Sequence, residues 1–227
     1  WSTASREPTG IAPDPETTPE AVVQVYGART FAWRGAFAVH TWVAVKPERA
    51  PSFTTYEVIG WQVRRGGGAV SVGNRRPDRR WYGQPPELYV DLRGPQAAAL
   101  IPQIEAAVRS YPFPDTYGTW PGPNSNTFTA HIGRQVPGLR LDLPPTAVGK
   151  DYLGPWTFWA PSPSGTGLQL SVRGMAGVLI GWEEGLELNL LGLTIGVDPL
   201  DLAIKLPGLG RLAPSPRTAA AAPPGGG

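Results

Sequence analysis

The chain has 227 residues, 41% of them apolar, and a formal charge of +2: enough for one domain or one and a half with a substantial core, and too nearly neutral to favour a nucleic-acid partner. Glycine (29) and proline (27) together make about a quarter of the residues, which points to short strands and many loops, while nine tryptophans argue for a folded body. With no cysteine, disulfides, thiolate catalysis and cysteine-ligated metals are excluded.

Residues 1–20 read as an irregular lead. Its polar, proline-containing run through Pro19 suits a tether after a removed signal or anchor, or a truncated start, and suggests the cell envelope. Stretches 21–26 and 37–46 are rich in Val, Tyr, Phe and Trp and read as strands, the second carrying His40. Residues 54–63 pair with it as a hairpin and 87–92 form a further strand, so an antiparallel sheet emerges. Between them, the arginine-rich run 64–80 reads as a mobile hairpin connection, solvated or touching lipid headgroups. After Gly94, the apolar face of Leu100, Ile101, Ile104, Ala107 and Val108 predicts a helix to Ser110; Pro102 suggests a start later than Gly94.

Residues 111–123 form a loop, and Pro121 and Pro123 forbid a helix until Asn124. Asn124 then suits an N-cap, and Phe128, Ile132 and Val136 recur at spacing four, so Ser125 opens a second helix. Residues 136–165 are irregular. From 166 to 213, short glycine-punctuated strands follow at 168–172, 178–182, 186–191 and 193–197. Leu186, Leu188 and Leu190 alternate with Glu187 and Asn189, so one face is buried; an ordinary sheet core is the favoured setting for the leucines and a membrane-associated patch the alternative. Residues 214–227 read as a disordered tail. No run of 18 apolar residues suggests a spanning helix.

The predicted architecture is therefore α+β: a core over 21–165 with an antiparallel sheet and two main helices, plus a β-rich extension over 166–213. Chemistry is confined by the two histidines, His40 and His131. Ser125 at a helix N-terminus has free amides and a favourable dipole for an oxyanion, although most first-turn serines do no chemistry. A serine needs a base with a third group holding it. His131, six residues on in the same helix, points away, which leaves His40 as base and Glu57, on the partner strand, as its orienting carboxylate. Tyr117 and Trp120, just ahead of Ser125, are candidates to line a substrate groove with Asn124. The carboxylates have no EF-hand or HExxH spacing and the glycines no P-loop context, so no metal, nucleotide or other cofactor is expected.

The segments GAFAVHTWVAVK, WPGPNSNTFTAHIGRQVP, LDLPPTAVGKDYL, SGTGLQLS and EEGLELNLLGLTIGVDPL resemble a bacterial family, the domain of unknown function 3750, over about 15–213. That resemblance implies no activity. It implies envelope proteins preceded by an apolar N-terminal segment. More remotely, a histidine strand, hairpin, helix and then a helix opened by Asn-nucleophile-x-x-Phe is similar to permuted papain-like hydrolases of the NlpC and lecithin retinol acyltransferase types. Asn124 and Phe128 match that motif, Ser125 stands where those proteins carry cysteine, His40 at the base and Glu57 at the third member. The resemblance implies a periplasmic, membrane-proximal hydrolase acting on an amide or ester, with peptide or lipid acyl groups as substrate classes. A catalytically inactive accessory or structural subunit of a membrane complex is the competing expectation.

Overall fold

The structure, a computed structural model, describes residues 4–214. It is α+β, with one five-stranded and one seven-stranded antiparallel sheet. The expected disordered tail lies outside the described residues, apart from Pro214.

The first sheet contains β1 (Val22–Arg29), β2 (Val39–Lys46), β3 (Thr54–Val58), β4 (Val70–Asn74) and β5 (Glu87–Arg93), ordered β4-β3-β2-β1-β5. The strand expected over 54–63 stops at Val58, and a short helix α1 (Gly60–Arg64) follows. Within the arginine-rich run, β4 pairs in register with β3, so that run is not simply a mobile connection. Strand alternation gives the sheet two apolar sides. Val23, Val25, Val43 and Val45 face α2 (Gly94–Arg109) and α3 (Ser125–Gln135), against Ile104, Phe128 and Ile132. Val22, Tyr26, Trp42 and Ala44 face the other way and pack on Phe53 and Trp81. The N-terminal lead is irregular but attached to this second side: Pro8 bridges Arg79, and the Arg80 amide donates to Glu7 O.

Helix α2 starts at Gly94, ahead of the later start that Pro102 suggested. An interior proline costs about 3 kcal/mol, and the buried face of Ala97, Leu100, Ile101, Ile104 and Ala107 offsets it. Helix α3 begins where the sequence places it. Asn124 Oδ1 accepts from the Asn126 and Thr127 amides at 3.0 and 3.2 Å, and the Asn124 amide donates back to Thr127 Oγ1. That reciprocal cap fixes Ser125 as the first helical residue.

The second sheet is a meander: β6 (Trp159–Pro161), β7 (Gly167–Val172), β8 (Ala176–Gly181), β9 (Gly185–Leu190), β10 (Leu193–Asp198), β11 (Ala203–Leu206) and β12 (Gly210–Leu212). The alternation expected from the sequence is present, but its sides are opposite to an ordinary core. Glu187 and Asn189 are buried, and Leu186, Leu188 and Leu190 are exposed. The same reversal runs through β7, where Gln169 and Ser171 are buried between exposed Leu168, Leu170 and Val172.

A buried polar network explains the reversal. The inner face carries Gln169, Glu187, Asn189, Thr194 and Lys205, and it meets Asp142, Lys150 and Asp151 from the loop after α3. Asp151 accepts from Lys150 Nζ at 2.9 Å, Asn189 Nδ2 at 2.7 Å and Thr194 Oγ1 at 3.1 Å. Glu187 bridges Lys150 and Lys205, and Lys205 also donates to Asp142 and to Glu184 O. Burial opposes both charges of the central pair, yet Asp151 and Glu187 hold the Lys150 ammonium above its ordinary pKa, and Lys150 holds Asp151 below the usual carboxylate range. With each of these charges facing an opposite one and hydrogen bonds made, this side of the sheet can face inward, which turns the alternate leucines of β7 and β9 outward.

Candidate functional site

His40 and Glu57 meet as the sequence suggested, with the imidazole Nε2 3.0 Å from Glu57 Oε2. Continuing the β2–β3 register places Glu57 across from Trp42, so His40 is its diagonal neighbour on the same face. A carboxylate only accepts, so Nε2 carries the proton of the neutral ring. Burial pushes the His40 pKa below its ordinary value although Glu57 pulls the other way. Glu57 also holds Arg79 Nη2 at 2.6 Å and lies 3.5 Å from Arg75 Nη1. Burial raises the Glu57 pKa, but the His40 hydrogen bond and the two guanidinium charges outweigh it and hold the carboxyl below its usual range. The His40 ring stacks on Trp81, 3.7 Å between centroids and 8° from parallel, and Arg79 lies over the same indole at 5.4 Å. Arg75 and Arg79 lie in the 64–80 run that reads as solvated and Trp81 directly follows it, so nothing in their local pattern points to this cluster.

Ser125 is on the other side of the sheet. The residue of β2 that faces the start of α3 is Thr41, whose Oγ1 reaches Ser125 O at 3.2 Å, Asn126 Oδ1 at 3.0 Å and Thr129 Oγ1 at 2.9 Å. Adjacent strand residues point to opposite faces, so His40 projects away from that helix. No hydrogen bond joins the Ser125 hydroxyl to His40, and Ser125 is only 4% exposed. The expected meeting of helix-opening hydroxyl and imidazole is therefore corrected. Thr41, one residue along, occupies the direction that a base would need, because a one-residue offset reverses the face of a strand.

The other candidates are engaged structurally. Asn124 caps α3 and donates to Val148 O at 3.1 Å, leaving its amide committed. The Tyr117 ring fills the space over Gly60, where a Cβ would come within 2.6 Å of it. Trp120 is half-exposed and lies against Gly192 in the β9–β10 turn. His131 Nε2 is 3.1 Å from Ala107 O, between α3 and α2 and away from Ser125.

The outward face of the second sheet is the other feature that stands apart. Its cross-strand register lines up Leu168, Ile180, Leu186, Val197, Ile204 and Leu212 across six strands from β7 to β12. A second row sets Leu170, Val178, Leu188 and Ile195 side by side. All ten are exposed, from 37% to 62%. With Val172 and Leu190, they present on the order of 1,000 Å² of apolar surface, against the few hundred Å² that a soluble monomer usually shows. Among the described residues no helix is long and apolar enough to cross a membrane.

A family model described as "Protein of unknown function (DUF3750)" matches residues 20–152. No curated protein and no solved structure matches the chain. The matched region holds the whole first sheet, both long helices and the Lys150–Asp151 pair, more than half of the sequence, so the chain belongs to the DUF3750 family.

Proposed function

We propose that this protein is a non-catalytic accessory protein that docks through the outward face of its C-terminal sheet onto an apolar partner surface at a membrane. The observation that carries this reading is the reversed alternation, polar residues in and leucines out, repeated over the meander. The bacterial envelope is the setting implied by the family resemblance.

The competing reading, a permuted papain-like amide or ester hydrolase built on Ser125, His40 and Glu57, needs hydroxyl and imidazole on one side of the sheet, and the separation described above argues against it. His40–Glu57–Arg79 is better suited to holding the N-terminal lead and the 75–85 loop on the sheet. An alkyl fluorophosphonate probe is accordingly expected to label the parent no more than Ser125→Ala, with thermal midpoints within a few degrees of each other. Labelling that disappears in Ser125→Ala would restore the hydrolase.

The docking reading is tested by partition in Triton X-114. The parent is expected in the detergent phase and the Ile180→Asp/Leu188→Asp variant in the aqueous phase. Equal partition of the two would remove the outward face from the function.

A further inference from the structure

Resting on the docking reading, we infer that the partner is lipid: the outward face of the second sheet lies on a bilayer leaflet with its aliphatic rows among the acyl chains. Three observations select this occupant over a second copy of the chain or another protein.

The first is at the turns. A facing sheet covers the middle of an apolar face but not the tips beyond its strand ends. Here the tips are apolar at both ends. Leu191 and Leu209 lie at one end, Leu200 and Leu202 at the other, and they are 57–75% exposed. Leu191 and Gly192 form a two-residue loop between paired Leu190 and Leu193, with φ of 53° and 77°. Asn or Gly ordinarily takes the position held by Leu191, and Leu202 has the same left-handed backbone with φ of 50°. Bulky side chains kept exposed in that conformation suit a surrounding apolar medium rather than a facing surface of limited extent.

The second is the rim. Trp159 shares the outward face beside Leu170, and Trp182 and Trp156 border it, at 65%, 67% and 77% exposure. The Arg173 guanidinium lies 5.2 Å over the Trp156 ring. Tryptophan bordering an aliphatic patch, with a cation beside it, matches the change from acyl chain to headgroup.

The third is composition. From β7 to β12 the two aligned rows contain Leu, Ile and Val alone, and a hydrogen-bonding side chain enters the second row only at its β6 edge, with Trp159. The other bordering charges are compensated, Arg140 by Glu183 and Arg211 by Asp198 and Asp201. Binding should therefore follow apolar area more than anionic lipid content.

The test is flotation of the full chain with phosphatidylcholine vesicles, with and without phosphatidylglycerol, alongside tryptophan quenching by brominated phosphatidylcholine and light scattering of the lipid-free protein. The parent is expected to float with both compositions and to be quenched. Ile180→Asp/Leu188→Asp and the single Leu170→Lys should each lower the floated fraction, the double variant by about tenfold. Val72→Asp, at a 58% exposed site on β4, should float like the parent. Parent-like circular dichroism of each variant establishes that the fold is retained. A parent that does not float, or variants that float equally, overturns the lipid assignment; a stable dimer broken by the same substitutions assigns the face to a second copy. If flotation fails while detergent partition still depends on Ile180 and Leu188, only the lipid assignment falls. If both fail, the docking reading falls with it.

Discussion

Replacing Lys150 with methionine is expected to lower the unfolding free energy by about 3–5 kcal/mol at neutral pH, the usual cost of removing one partner from a buried ion pair. Methionine keeps much of the lysine stem's packing, so the loss reports the charge. Lys150 is 2% exposed, and its removal leaves the Asp151 and Glu187 carboxylates without the ammonium they share. For a chain of this size the thermal midpoint should fall by roughly 10 °C. Urea denaturation measures the effect, and hydrogen exchange should find the loss of protection concentrated in β7–β10, whose inner face depends on the network. Adding Glu187→Gln should recover part of the loss, since it lowers the surplus of buried negative charge while Asp142 and Glu184 O still hold Lys205. A change below about 1 kcal/mol would mean that the network is worth no more than surface pairs, and the explanation of the reversed sheet would fail.

The second large effect is expected at Glu57. Glu57→Gln leaves Arg79, with only 11% of its side chain exposed, without its carboxylate partner, and should cost about 3–5 kcal/mol at pH 7. It should also change the acid limb of stability. Because Glu57 titrates below its ordinary value of 4.5 in the folded chain, its contribution is complete above that value and is lost as pH falls through the lower folded value. His40 and His131 are held below 6.5, chiefly by burial, so the unfolded chain takes up protons first and stability already declines as pH drops past about 6.5. The parent's urea midpoint should thus fall gently below 6.5 and more steeply below 4.5. In Glu57→Gln the steeper part should flatten. An unchanged slope there would show that Glu57 contributes nothing to acid sensitivity.

Local chemistry made much of the fold legible. Proline at 121 and 123, Asn124 and the spacing of Phe128 and Ile132 located the start of α3, because a helix start is written in a few adjacent residues. The pairing of His40 with Glu57 was also readable, since two neighbouring strands of a hairpin bring it about. The side of β2 that receives α3 was not. That choice depends on packing between residues more than eighty apart in sequence, and it decides whether Thr41 or His40 faces Ser125. The polarity of the second sheet was hidden for a similar reason. Leu186, Leu188 and Leu190 against Glu187 and Asn189 give the period but not the inward side, which Lys150 and Asp151 determine from the preceding loop. Strands β11 and β12 escaped notice because they are short and bounded by turn residues.

In most proteins the aliphatic side chains of a sheet are kept by folding itself, since each one lost opens a cavity and weakens the native state. The outward leucines of this meander are released from that constraint. Aspartate or lysine at 180 or 188 would create no void and disturb none of the inner pairs, so conformational stability alone would let these positions drift toward hydrophilic residues. On the docking reading proposed above, their oily character serves what the molecule does rather than how it folds.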